Sequence, residues 1–328
     1  MNRHDPWKTR EEDFWTLHDP EARGRFLLNY AVMAPSTLNT QPWLFTVNGD
    51  TIQIFADRRR GLSVADPDDR QLVISCGAAL YHLKLAMRRF GRQPAVQTFP
   101  DLSRPDLLAV VRAGLPEDPA QAIVREFEAM KHRHAQGSAL AAHIPAQGTL
   151  LNTLSRLDNP HVQPILIDDG MQRQRLAEVV YDARRAREKD RRYQRERAAW
   201  QHPDRKHSRD GLPVGRQHYL RETGPEPQFV REFADGGPAV FVLASRSDSH
   251  ASWLETGQVL AQLLLAAAGE GLAATFHNEP LELGRYRKRV NALIKDGLKA
   301  QVVLRVGLPE SRVITLRRPV NEVLLNVY

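Results

Sequence analysis

The decapeptide Ala34-Pro35-Ser36-Thr37-Leu38-Asn39-Thr40-Gln41-Pro42-Trp43 decides how this chain is read. Taken alone, it is a helix end, a polar turn and the entry to a strand. Upstream, Phe26, Leu27, Tyr30, Ala31 and Ala34 recur at helical spacing, which predicts an amphipathic helix over 23–33. Pro35 ends or redirects that helix, while Ser36 and Asn39 supply turn chemistry. Downstream, 44–47 and 51–55 alternate around Asn48-Gly49-Asp50, which predicts a hairpin with Asn-Gly in a type I′ turn. The hydroxyl and amide groups of the turn suit directional hydrogen bonds to a planar heterocycle or a phosphate tail. They equally suit a capped loop in which Trp43 fills the core.

Working outward, 57–69 is a polar loop, 72–90 a long apolar helix stopped by Gly91, and 95–99 and 107–113 are strands. A second phase begins after 114–119. Residues 120–134 start helical, turn basic and break near Gly137. Then come a short helix over 149–157, a strand over 162–167, a charged helix over 176–200 and a loop-rich stretch to 227, where Asp210-Gly211-Leu212-Pro213 marks a turn. An apolar strand over 239–244, a second long buried helix over 253–268 and a strand over 300–306 follow. Each half places a long apolar helix after a loop and a strand after that helix, which suggests two similar domains packed together.

Composition narrows the function classes. The 328 residues are 42% hydrophobic and 26% charged, which excludes a disordered or coiled-coil chain. The single cysteine, Cys76, allows no intrachain disulfide and no Cys-rich zinc or iron–sulfur site; it reads as a packed residue at the start of an apolar helix. The longest apolar run, 259–268, falls far short of the roughly 20 residues of a membrane span. Residues 1–5 lead directly into charged, aromatic sequence, and the expected address is the reducing cytoplasm. Residues 173–209 hold 13 Lys or Arg against 6 Asp or Glu, a net +7 equal to that of the whole chain. Such a stretch suits an anionic cofactor or substrate, or a solvated helix with neighbouring pairs. No zinc-finger spacing or RNA-binding aromatic signature accompanies it, so nucleic acid is the lesser reading. There is no Ser–His–Asp order, metal-binding His pair, glycosidase-like carboxylate pair or Gly-x-Gly-x-x-Gly turn.

The decapeptide resembles the flavin-binding signature of the nitroreductase-like superfamily. More narrowly, the chain resembles the fused, double-domain branch typified by the actinobacterial Acg proteins. The likeness continues through Ala56-Asp57-Arg58, Ala65-Asp66-Pro67 and Ser75-Cys76-Gly77-Ala78-Ala79-Leu80. It resumes at Trp200, Asp210-Gly211-Leu212-Pro213 and Trp253-Leu254-Glu255-Thr256-Gly257-Gln258. It closes with Gln301-Val302-Val303-Leu304-Arg305-Val306-Gly307 and Arg317-Arg318-Pro319. Order and spacing together carry the resemblance.

What the resemblance implies is an α+β fold: two mixed, mainly antiparallel sheets flanked by helices, joined as an intrachain pseudo-dimer. The halves would be 1–118 and 119–328, with a basic helix and lid within 173–227. One FMN site would be assembled from both. Pro35, Ser36, Asn39 and Gln41 come from the first half. Arg133 opens the second half's Arg-rich motif, Thr275, Phe276 and His277 bring backbone to the flavin ring, and Arg317 and Arg318 form the C-terminal basic pair. Guanidinium groups match the FMN phosphate through rigid, often bidentate bonds. Arg133-His134-Ala135-Gln136-Gly137 lacks the hydroxyl and second Arg of the family's Arg-His-Thr-Asn-Arg, which implies a weaker clamp or another Arg in its place. The second half has no second Pro-Ser-x-x-Asn turn, so one such site is expected. The implied activity is hydride transfer from NAD(P)H to a nitroaromatic, a quinone or another flat acceptor, with no metal. His277 is a candidate proton donor or an ordinary loop histidine. The alternative is a flavin-storing protein with little turnover, linked to stress; a scaffold that has lost FMN is the third reading. The chain would act as a monomer or associate further as a homodimer.

Overall fold

The first long helix is set by Asp19, whose carboxylate accepts the Ala22 N–H at 2.8 Å, while Pro20 takes the first turn, where a missing N–H costs nothing. The computed structural model describes residues 5–133, 140, 159–202, 208–213, 226–234, 237–295, 297–310 and 315–325. It places α1 at Glu12–Trp15 and α2 at Pro20–Ala31. Strands β1 (Trp43–Asn48) and β2 (Thr51–Ala56) pair antiparallel from Trp43↔Ala56 to Asn48↔Thr51, so the loop is Gly49-Asp50. Gly49 has a φ of +57° and Asp50 is not left-handed. This corrects the type I′ expectation, which needs two left-handed residues: only the glycine takes up positive φ. The first turn of helix α3 (Arg70–Arg89) is capped by Asp66, whose carboxylate accepts the N–H groups of Gln71 at 3.0 Å and Leu72 at 2.9 Å. With β3 (Arg92–Thr98) and β4 (Leu107–Pro116), the first sheet has the order β1-β2-β4-β3, antiparallel throughout.

The second half runs α4 (Gln121–His132), β5 (Val162–Ile167), α5 (Gly170–Lys189), α6 (Arg191–Ala199), β6 (Gln201–His202), β7 (Leu212–Pro213) and α7 (Glu226–Ala234). It continues with β8 (Ala239–Ser245), α8 (His250–Gly269), β9 (Ala273–Phe276), α9 (Gly284–Asn291) and β10 (Lys299–Gly307). Its sheet has the order β5-β8-β10-β9, also antiparallel. Matching β1 with β5, β2 with β8, α3 with α8, β3 with β9 and β4 with β10 gives one topology used twice. The chain is thus an α+β pseudo-dimer. The halves differ most between their first two strands, joined by Gly49-Asp50 in one and by residues 168–238 in the other.

Helices α3 and α8 form the seam. A Cβ on Gly77 would lie 2.0 Å from Leu254 O, and one on Gly257 would lie 1.9 Å from Ile74 O. Backbone meets backbone there, closer than any side chain permits. A single apolar core runs through both halves, taking in Trp43, Phe45, Leu80, Leu83, Phe241, Leu243 and Leu304. Alternation along β8 sends Val240, Val242 and Ala244 to a second core with Leu176, Val180, Phe229 and Phe233. Buried on both faces, β8 is written as an unbroken apolar run.

The C-terminal segment crosses back. Phe45 N–H donates to Val323 O at 2.8 Å and Leu325 N–H to Phe45 O at 2.7 Å, so the tail closes the edge of the first sheet. The helix expected over 176–200 is two helices, a correction with a clear cause. Asp190 is extended, with φ/ψ of −83°/105°, and its carboxylate accepts the N–H groups of Arg192 at 2.9 Å and Tyr193 at 3.3 Å. The helix expected over 149–157 lies outside the described residues. Among the described residues, no helix is long and apolar enough to cross a membrane, and no cluster of potential metal ligands occurs.

Candidate functional site

The turn after α2 is held in a conformation its residues do not favour. Leu38, Asn39 and Gln41 have φ of +49°, +55° and +51°. Non-glycine residues there cost about 1–3 kcal/mol each, so surrounding bonds must hold them. Ser36 Oγ accepts the Gln41 N–H at 2.9 Å. Asn39 Nδ2 donates to Gly211 O at 3.3 Å and Leu316 O at 3.2 Å. Gln41 Nε2 donates to Arg209 O at 2.8 Å, and its Oε1 accepts the Arg318 N–H at 2.8 Å. The side chains of Asn39 and Gln41 therefore tie the turn to the segment after α6 and to the C-terminal tail.

Two arginines meet behind this turn. Arg133 and Arg317 are each 4% exposed. Arg133 Nη2 donates to Met33 O at 2.6 Å, and Arg317 Nη2 reaches the same oxygen at 3.4 Å. Arg317 Nη1 also donates to Asn39 Oδ1 at 3.0 Å. The Nε atoms of both guanidiniums lack a hydrogen-bond partner, and neither group has a carboxylate in ion-pair range among the described residues. Burial lowers the Arg133 pKa to about 10; burial and the Arg133 charge hold Arg317 well below its ordinary value. Arg317 Nη1 also donates to Leu316 O at 3.1 Å and Thr315 O at 3.3 Å, so among the described residues only neutral oxygens meet the two buried cations and an anion here would be favoured. Arg318 lies against the same turn: Nη1 donates to Gln41 O at 3.4 Å, Nη2 donates to Glu322 O at 2.5 Å, and Nε lies 3.8 Å from the Glu322 carboxylate.

On the other side of the turn lies a cavity of about 130 Å³. Pro35, Ser36, Thr37 and Leu38 form one wall, and Leu260 and Phe276 from the second half form another. Residues between β5 and β8 supply the third: Arg184 and Arg187 on α5, Tyr193 and Arg197 on α6, and Leu212 on β7. This wall is fastened to the first half. The Glu196 carboxylate accepts the N–H groups of Val64 at 2.8 Å and Ala65 at 2.9 Å, and Arg60 pairs with Asp210. Two of the carboxylates that line the cavity, Glu279 and Glu282, are paired with its arginines. Arg184 Nε lies 3.2 Å from Glu279 Oε1, and Arg187 Nε lies 3.0 Å from Glu282 Oε2.

Alternation after β9 sorts the expected trio. Phe276 and Asn278 line the cavity, whereas Thr275 and His277 do not. The His277 N–H donates to Val303 O at 2.9 Å. Its Nδ1 lies 3.2 Å from Arg184 Nη2 and its Nε2 lies 3.4 Å from Thr275 Oγ1, with the ring edge-on to Phe233. Burial, Arg184 and Arg305 hold the imidazole pKa well below its usual value, so the ring is neutral.

No family model matches the chain. Over 318 residues it is 30% identical to a Mycobacterium tuberculosis protein carrying the name NAD(P)H nitroreductase, covering 88% of this chain and 86% of that one. The chain belongs to the nitroreductase family. A second Mycobacterium tuberculosis relative, carrying the name NAD(P)H nitroreductase acg, is 28% identical over 314 residues, with 89% of this chain and 92% of that one covered. The fold recurs in a structure from Anabaena variabilis, described as a nitroreductase, at 11% identity with a TM-score of 0.53 over 94% of this chain and 96% of that chain.

In this nitroreductase-family chain, the structure brings together Pro35 and Ser36 at the cavity and Arg133 with Arg317 behind the turn. Sequence reasoning did not single out Gln71, Arg184, Arg187, Tyr193, Arg197 or Glu282 at the cavity. For the residues between β5 and β8, the excess of positive charge over 173–209 was the available signal; Gln71 and Glu282 had none. Cys76 is fully buried, with Sγ 3.2 Å from Pro42 O, and burial pushes its thiol pKa far up.

Proposed function

We propose that this chain is an FMN-dependent oxidoreductase of the fused, Acg-like branch, which takes hydride from NAD(P)H and passes it to a flat acceptor such as a nitroaromatic or quinone. The buried Arg133–Arg317 pair carries the reading: two guanidiniums that, among the described residues, have open Nε donors and no carboxylate partner fit a phosphate dianion. The residues present therefore fit FMN, whose isoalloxazine would supply two-electron chemistry when bound. Arg133 and Arg317 would hold the phosphate. Ser36 and Pro35 would border the cofactor on the first-half side, with Asn39 locking the turn onto Arg317. Phe276 offers an apolar face, and the backbone from Thr275 to His277 stays in the role expected of it, beside the ring. His277 takes no proton-transfer step in this reading, because its imidazole is neutral and does not line the cavity.

The segment between β5 and β8 acts in this reading as the lid. A specific observation also favours the flavin-storing alternative: Glu196 and the Arg60–Asp210 pair fasten that cover to the first half. One experiment separates the two. FMN-loaded protein is mixed anaerobically with NADPH and then with a quinone, and visible absorbance is followed. Rapid bleaching and recovery support the oxidoreductase, flavin that stays oxidised supports the store, and no retained flavin removes both.

A further inference from the structure

Two walls of the cavity, the first-half turn and the segment between β5 and β8, are linked through Glu282. Thr37, within the turn, donates its hydroxyl to Gln71 Oε1 at 3.0 Å, and Gln71 Nε2 donates to Glu282 Oε1 at 3.4 Å. From the lid, Arg187 donates Nε–H to Glu282 Oε2 at 3.0 Å. Arg187 does not depend on that carboxyl alone, since Nη2 also donates to the backbone oxygens of Glu282 at 3.1 Å and Val64 at 3.4 Å. The Glu282 side chain is only 6% exposed, yet it lines the cavity. A hydrogen-bonded chain thus runs from the first-half turn, across the seam, to a sequestered carboxyl group facing the space where an acceptor would lie.

We propose that Glu282 delivers the proton that completes two-electron reduction of a quinone-class acceptor in this cavity, an inference that rests on the oxidoreductase reading above. The step balances as quinone plus hydride plus proton to hydroquinone. The hydride comes from reduced flavin, which the proposed activity supplies. The O–H bond of the Glu282 carboxyl breaks and its proton goes to the quinone oxygen as negative charge develops there. The electron pair stays on Glu282 as a carboxylate held by Arg187 and Gln71, and solvent returns the proton.

The surroundings keep the group ready for this. Burial pushes the Glu282 carboxyl up to about 8, with Glu279 acting the same way; Arg187, Gln71 and Arg70 of α3 pull it down. Arg184 and Glu188 of α5 and Tyr193 and Arg197 of α6 are the other charged or titratable groups facing the cavity. A carboxylic acid kept neutral beside a reacting centre is the arrangement that general acids use. Among the alternatives, the Tyr193 phenol is driven far above its ordinary pKa by burial, Glu282 and Glu279.

The test compares FMN-loaded wild type, Glu282→Gln and Glu282→Asp. Flavin is reduced with NADPH, and its reoxidation by 1,4-benzoquinone is followed by visible absorbance at several pH values. Glu282→Gln is expected to slow reoxidation by about 10²-fold, the lower end of general-acid catalysis, and to abolish the fall in rate as pH rises through about 8. Glu282→Asp should restore a pH-dependent step. Melting of the flavin-free proteins gives a second readout. A carboxyl whose pKa rises from 4.5 to about 8 on folding loses its stabilising contribution as pH climbs between those values, so wild type should lose stability relative to Glu282→Gln across that window and hold a constant difference above about 8. Wild-type reoxidation in a flavin-loaded Glu282→Gln, or a melting difference independent of pH, overturns the proposal. Absence of flavin bands in every protein instead removes the oxidoreductase reading, and this step with it.

Discussion

Replacing Gly257 by alanine would set a methyl carbon 1.9 Å from Ile74 O, 2.8 Å from Ala78 N and 2.8 Å from Gly77 Cα. All three are backbone atoms of α3, so no rotamer change relieves them. Restoring an ordinary contact of 3.4 Å to Ile74 O requires α3 and α8 to part by about 1.5 Å. Overpacking a tight core costs about 1–3 kcal/mol, and more where backbone must move, so we expect at least ~3 kcal/mol here. With an unfolding entropy of about 2.1 cal/mol/K per residue, that lowers the Tm of a chain this long by about 4 °C. The functional loss should be larger than the thermal one. Arg317 and Phe276 reach the first-half turn only while the seam is closed, so Gly257→Ala should lose most of the FMN-induced rise in Tm. Gly284→Ala is the control: its Cβ would meet nothing within 4 Å, and its cost should stay within about 0.5 kcal/mol. Calorimetric melting with and without FMN reads both. A Gly257→Ala protein that melts with the wild type and keeps its FMN response refutes this account of the seam.

Arg133→Met and Arg317→Met should each raise the Kd for FMN about 10- to 100-fold, the worth of a hydrogen bond to a charged group, by calorimetric titration. Flavin-free Arg133→Met should melt at or above the wild-type temperature, because it removes one of two like buried charges while Arg317 still reaches Met33 O; a marked fall would contradict that origin of the site. Glu196→Gln leaves the Val64 and Ala65 N–H groups with a weaker acceptor. Loss of about 1 kcal/mol should speed FMN release about fivefold, and an unchanged stopped-flow release rate would show that this contact does not fasten the lid. Cys76 should resist Ellman's reagent in the folded protein and react fully in denaturant, since it is buried and its thiol pKa is pushed far up.

Much of the fold was legible because its elements carry local signals. The apolar stretches over 72–90 and 253–268 mark α3 and α8, and Gly91 marks an end. The break between α5 and α6 escaped because Asp190 sits in a continuous charged run, where an N-cap looks like one more surface acid. Ala273–Phe276 escaped because four residues, two of them alanine, have neither the length nor the β-propensity to announce a strand. At the site, the turn was readable from Pro35, Ser36 and Asn39, which act within a few residues of one another. Arg133 and Arg317 were reached through family resemblance, since their meeting at Met33 O spans most of the chain. Glu282 had no sequence signal: its role depends on burial and on Gln71 and Arg187, partners that tertiary packing selects.

The most direct measurement is the stoichiometry and retention of FMN by equilibrium dialysis, in the wild type and in the Arg133→Met/Arg317→Met double variant. A site assembled once across the seam predicts one FMN per chain for the wild type and almost none for the double variant. Two FMN per chain, none at all, or undiminished binding by the double variant would contradict it.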